Sequence, residues 1–149
     1  MSEHHAGIRW QLSQGSFADK SYSRDHTWHF KGGQQLAASS APSYAGNPDC
    51  VDPEDAFTAA VSSCHMLTFL AVAAVKGFEV ESYVDEAVGI LDKNAEGRMA
   101  MVKVSLRPQI RFKGRQPSAE ELAMLHERAH KGCFIANSIQ TQVVIEVSH

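Results

Sequence analysis

The sequence predicts an α+β fold in a single domain spanning residues 1–149. Runs of alternating, β-branched and aromatic residues lie on both sides of one long apolar run at 53–76, and a second helical segment at 117–133 opens with a capping pattern. Read in order, the elements are β-β-(β)-α-β-β-α-β, with strands clustered rather than alternating strictly with helices.

The first third reads as strands and turns. "GIRWQL" alternates, "HTWHF" is aromatic and β-branched, and "QQLAAS" follows Gly32-Gly33. Two strands joined at Gly-Gly form a hairpin signal. "SAPSYAGNPDCVDP" is loop, because Pro, Gly, Ser and Asn dominate it. A helix then starts with Asp52 as N-cap, Pro53 at the first helical position, and Glu54 and Asp55 at the positive end of the macrodipole. It runs to about Lys76, with Gly77 as its stop. Its apolar residues cover every side, which predicts burial all round. In a chain of this length a partner subunit on one face is the simple way to achieve that.

"EVESYVDEAVGIL", the polar turn "DKNAEG" and "RMAMVKVSLRPQIRF" predict a long hairpin with one buried face. Pro108 marks an edge or a bulge. "PSAEELAMLHERAHKGC" is the second helix, with Ser118 and Glu121 as a capping box. Leu122, Leu125 and Ala129 form its apolar stripe, and it breaks near Gly132. "TQVVIEV" is the last strand.

Composition narrows the function. Of 149 residues, 44% are apolar and 21% charged, with a net charge of -3. That leaves no basic field for nucleic acid. The longest apolar run is broken by Ser62, Ser63, His65 and Thr68, so no membrane span is expected. The N-terminus lacks a signal peptide's apolar stretch, and a cytoplasmic location is expected. There is no GxGxxG, no GKS/T and no nucleophile elbow. Three cysteines, Cys50, Cys64 and Cys133, with no CxxC, argue against a disulfide framework or a zinc ribbon. Cys64 and Cys133 both sit in apolar settings, "SSCHM" and "KGCFI". From the residues alone they are core packers or reactive thiols.

The stretch "VDPEDAFTAAVSSCHMLTFLAVAAVKGFEVESY" resembles the heart of the OsmC/Ohr family of cysteine peroxidases (osmotically inducible protein C and organic hydroperoxide resistance protein). The family's Pro-Glu lies ten residues before its first cysteine, as Glu54 does before Cys64. Its second cysteine follows the second helix and precedes an Asn, as in "AHKGCFIANSI" with Cys133 and Asn137. An Arg about thirty residues before the Glu completes the set, and Arg24 in "YSRDHTWHF" fits. His65 and "CFIAN" depart from the Ohr branch and look closer to the broader OsmC-like branch.

The resemblance implies antiparallel sheets around a buried central helix, and an intertwined homodimer with its sites at the interface. It implies a thiol-dependent peroxidase that reduces organic hydroperoxides, with hydrogen peroxide as a second substrate, and that uses no cofactor: the peroxide is the oxidant, so neither metal nor flavin is needed. Cys64 is then the nucleophile, which must be thiolate, and Cys133 the resolving thiol. Arg24 offsets the apolar site, and Glu54 pairs with and orients Arg24. Ten residues of straight helix separate Glu54 from Cys64 by roughly 15 Å, so Arg24 bridges the gap or Glu54 serves the partner's site. A dithiol, either a dihydrolipoyl group or a small thiol, restores the enzyme. A non-catalytic redox sensor or thiol-binding protein is the alternative on this scaffold.

The remaining residues read more simply. His126 and His130, at i and i+4, are expected on a solvated face with no third metal ligand. His26 and His29 fall on opposite strand faces, and Cys50 is an incidental loop thiol. Trp28, Phe30, Phe57 and Phe134 are pocket walls or core.

Overall fold

The computed structural model describes residues 1–147, which divide after Ala56 into two compact units. In the first unit, β1 (Gly7–Arg9), β2 (His26–His29) and β3 (Gln35–Ala38) form an antiparallel sheet in chain order. The expected hairpin closes at His29↔Gln35, and Phe30 N–H donates to the Gln34 carbonyl at 2.8 Å. Gly32 and Gly33 both take φ near +70°, which only glycine adopts without strain. β1 stops before Trp10, whose indole N–H instead reaches the Ser23 carbonyl at 2.9 Å.

Helix α1 spans Pro53–Val75. Asp52 caps it, accepting the Asp55 N–H at 2.8 Å. At the other end Phe78 N–H bonds to the Ala73 carbonyl at 2.9 Å and Gly77 N–H to that of Ala74 at 3.1 Å. That is the Schellman pattern, with Gly77 at φ +78° as its left-handed residue. Phe78 then folds back into the core beside Phe69, Ala73, Leu125 and Ala129.

Within the second unit the long hairpin is present but broken in two. β4 (Glu79–Asp85) pairs with β7 (Pro108–Lys113), and β5 (Val88–Lys93) with β6 (Met99–Leu106), both antiparallel. Pro108 opens β7 opposite Asp85, where the missing N–H ends the ladder. Asp85 covers the break by accepting the Arg107 N–H. β8 (Gln142–Ile145) pairs with β6 in parallel, so the sheets are not antiparallel throughout. Helix α2 (Ala119–Gly132) lies between β7 and β8 in the chain and carries it back to β6. The expected capping box of α2 forms, with Glu121 N–H donating to Ser118 Oγ at 3.1 Å and Ser118 N–H to Glu121 Oε2 at 2.9 Å.

Within its own chain α1 is covered on one face. Only Val61, His65, Phe69 and Ala73 are buried, a stripe repeating every fourth residue. Leu67 and Val75 are exposed, at 61% and 85%. One chain therefore covers one face of this helix, because the sheet and α2 both pack on the same stripe. A correction concerns length. By length and composition α1 is apolar enough to cross a membrane. Its polar groups, however, are bonded to neighbouring elements, Ser62 to Asp85 and His65 to His126, as in a core helix.

Gly77→Ala is expected to destabilise the protein by about 1–2 kcal/mol, the cost of a side chain in the left-handed region. Urea unfolding monitored by circular dichroism measures it.

Candidate active site

Cys64 lies midway along α1 and Cys133 caps the end of α2, and the structure brings the two side chains close enough to influence each other. Both are free thiols, Cys133 buried and Cys64 partly so. Burial pushes the Cys133 thiol up from its ordinary value, and the hydrogen bond to Cys64 adds to this, while the Ala136 N–H at 3.4 Å to its Sγ works the other way. The loop after Cys133 is tied down by Asn137, whose side-chain amide donates to the Lys131 carbonyl at 3.1 Å. That gives the Asn singled out in the sequence a local structural task.

The approach of the two helix segments depends on a glycine. A Cβ on Gly132 would sit 3.0 Å from Thr68 Cγ2, one turn along α1 from Cys64. Thr68 is itself held, its hydroxyl bonded to the Cys64 carbonyl at 2.9 Å. The neighbour cannot easily yield, so Gly132 sets how closely Cys133 comes to α1.

Arg24 and Glu54 come together in the first unit, on the wall of an apolar cavity of about 470 Å³. The Arg24 guanidinium donates to the carbonyls of Tyr22 at 2.8 Å and Lys20 at 3.2 Å, and lies over the Tyr22 ring at 4.4 Å. Segment 20–24 is thereby wrapped around its own cation. The aromatic walls are Trp10, Phe17, Tyr22 and Tyr44. These are not the expected ones: Phe134 is 81% exposed, and Phe57 lines a different groove. Trp28 instead donates its indole N–H to His26.

A buried pair was missed in the sequence. His126 is not on a solvated face: it is 3% exposed, and His65 is 1% exposed. Their rings lie nearly coplanar and edge to edge, with centroids 5.4 Å apart and planes 9° apart, and His65 Nε2 lies 3.0 Å from His126 Nδ1. The signal was present. His65 falls on the every-fourth-residue stripe Val61–His65–Phe69, and His126 sits between Leu122, Leu125 and Ala129 on the apolar face of α2. Burial is the largest cause lowering both imidazoles to about 4; His126 and His130 add to it for His65, and Asp85 opposes it for His126.

The α+β frame, with one free cysteine on α1 and another at the end of α2, has the architecture of the OsmC and Ohr structures. Residues 46–148 match the family described as OsmC-like protein, and the chain belongs to that family. An OsmC-like protein of unknown function from Vibrio cholerae is 49% identical over 99% of this chain and 100% of its own, with a TM-score of 0.94. The organic hydroperoxide resistance protein OsmC from Legionella pneumophila is 19% identical over 100% of this chain and 98% of its own, with a TM-score of 0.77. OhrB of Bacillus subtilis, an organic hydroperoxide resistance protein, is 19% identical over 97% and 98%, with a TM-score of 0.69. The last two share the fold. No curated protein matches the chain.

The histidines make stability depend on pH. Unfolded histidine takes up protons below about 6.5, whereas the native pair resists until about 4. The unfolded state thus binds more protons in that window, and native stability is lost as pH falls from about 6.5 to about 4. Urea midpoints measured across the window are expected to fall for the wild type, and to fall less for the His65→Leu/His126→Leu variant. Separately, Gly132→Ala is expected to slow Cys64–Cys133 disulfide formation by diamide several-fold, read by mass spectrometry of alkylated thiols.

Proposed function

We propose that this protein is a thiol-dependent peroxidase that reduces organic hydroperoxides, with Cys64 as nucleophile and Cys133 as resolving thiol. The observation that carries the reading is the meeting of these two free thiols from separate helices. Cys133 is buried whereas Cys64 is partly accessible, so an incoming peroxide reaches Cys64 first.

In that step the Cys64 sulfur attacks the peroxide oxygen. An S–O bond forms, the O–O bond breaks, and the alcohol leaves with a proton. The sulfur is oxidised by two electrons to a sulfenic acid. Cys133 then attacks that sulfur; the S–S bond forms, the S–O bond breaks, and water leaves. A dithiol, a dihydrolipoyl group or a small thiol, returns the pair to thiols by exchange. The resemblance assigns peroxide binding to Arg24, with Glu54 orienting the guanidinium, and the apolar cavity that these two line suits an organic chain. Hydrogen peroxide, which has no such chain, is expected to be the poorer substrate.

A homodimer belongs to the same reading. The α1 residues Leu67 and Val75 are exposed on the side away from the buried stripe, and a second subunit would cover them. Leu67→Glu is expected to shift the protein to a monomer in light scattering.

Consumption of cumene hydroperoxide with dihydrolipoamide or dithiothreitol tests the activity. Turnover is expected in the wild type, to fall at least about 100-fold in Cys64→Ser, and to fall by less in Cys133→Ser, where external thiol replaces the resolving group. Arg24→Met is expected to lower kcat/KM by about 100-fold, the scale of losing a charged donor at the reacting oxygen. Equal inactivity of wild type and Cys64→Ser with every reductant would overturn the peroxidase reading in favour of redox sensing.

A further inference from the structure

Two buried imidazoles facing each other are an expensive way to fill space between helices. Each ring is desolvated, and each keeps one buried nitrogen, His65 Nδ1 and His126 Nε2, without a protein hydrogen-bond partner. Leucine at both positions would continue the stripes on which they sit, Val61–Phe69 on α1 and Leu122–Leu125–Ala129 on α2, without that cost. What the pair adds is direction. An apolar contact tolerates sliding and rotation. A single 3.0 Å bond between rings held edge to edge in nearly one plane does not. One buried polar pair can thus fix the register of two packed helices.

The register it fixes has a readout next door. His65 is adjacent to Cys64 on α1. Cys133 follows His126 by seven residues, two turns along α2, and so returns to a similar angular position. The Thr68–Gly132 approach lies between. The imidazole bond, that close approach and the thiol pair are three contacts between the same two segments, and three contacts leave no rotational freedom.

We propose that His65 and His126 are positioning residues that hold Cys133 against Cys64, serving formation of the Cys64–Cys133 disulfide rather than the attack on peroxide. The disulfide step rests on the peroxidase reading for its oxidant. The positioning does not, since any two-electron oxidant of thiols, including a disulfide, joins the same sulfurs by removing two electrons and two protons. No proton passes between the rings and the sulfurs in this account. The histidines act through the helices.

The test is the equilibrium of the Cys64–Cys133 disulfide with a glutathione redox buffer, in the full-length protein. His126→Phe keeps a planar ring at this position and removes the bond. It is expected to lower the equilibrium constant for disulfide formation about tenfold, which is about 30 mV for this two-electron couple. His126→Asn presents a side-chain oxygen near the position of Nδ1 and is expected to restore it to within about threefold. His65→Leu/His126→Leu is expected to show the same loss as His126→Phe while unfolding at equal or higher urea concentration at pH 7, a divergence that a merely structural role would not give. A wild-type equilibrium in His126→Phe, or an equal loss in His126→Asn, would overturn the proposal. Failure of the peroxidase reading would look different: hydroperoxide would leave the wild-type thiols reduced while the glutathione equilibrium still separated the variants.

Discussion

Helix α1 can bury only one stripe inside its own chain, and most of the second unit follows from that constraint. Val61, His65, Phe69 and Ala73 recur every four residues, so the stripe runs nearly along the helix axis and drifts slowly around it. Two clusters form where it meets its neighbours. Val61 packs with Val104 and Leu106 of β6, and Phe69 and Ala73 with Leu125 and Ala129 of α2. The first places the sheet and the second places α2. Cys64 is one residue off the stripe and is carried to the boundary of the packed face, which is why it is partly accessible while Cys133 is not.

Three polar residues on α1 are matched individually. Ser62 reaches Asp85 on β4, Thr68 bonds back to the Cys64 carbonyl, and His65 reaches His126. Asp85 also takes the Arg107 N–H where the long hairpin breaks. One carboxylate therefore ties the central helix to the point at which both ladders change partner. The buried Tyr83 hydroxyl nearby has its titration pushed upward by burial and by Asp85, so it remains protonated and neutral in this polar layer.

Much of this was legible from residue types. The caps at Asp52 and Ser118 and the stops at Gly77 and Gly32-Gly33 rest on local backbone chemistry, and local chemistry is written in adjacent residues. The cysteine spacing carried the family. What could not be read were events between distant segments: the division of the hairpin into β4–β7 and β5–β6 pairs, the parallel return of β8, and the pairing of His65 with His126. Histidine has an ambiguous preference for the interior, so polarity argued for solvent at His126 although its helical position argued for the core. The walls of the apolar cavity were missed for a similar reason. Trp10, Phe17 and Tyr22 gather through a turn held by side-chain and carbonyl bonds, among them Trp10 to Ser23, and no periodic pattern announces it.

The parallel seat of β8 has a consequence for how the chain reaches this state. β6 acquires its antiparallel partner β5 across a turn of a few residues, but its other edge pairs with residues 142–145. That edge must wait for β7 and α2 to be made and placed, and closing so long a loop is slow because the entropy is lost before the contacts form. Until then a ladder carrying Val104 and Leu106 stands open on one side. Open apolar edges recruit strands from other molecules. The last strand is thus the piece that ends the chain's vulnerability to aggregation as well as the piece that completes the sheet.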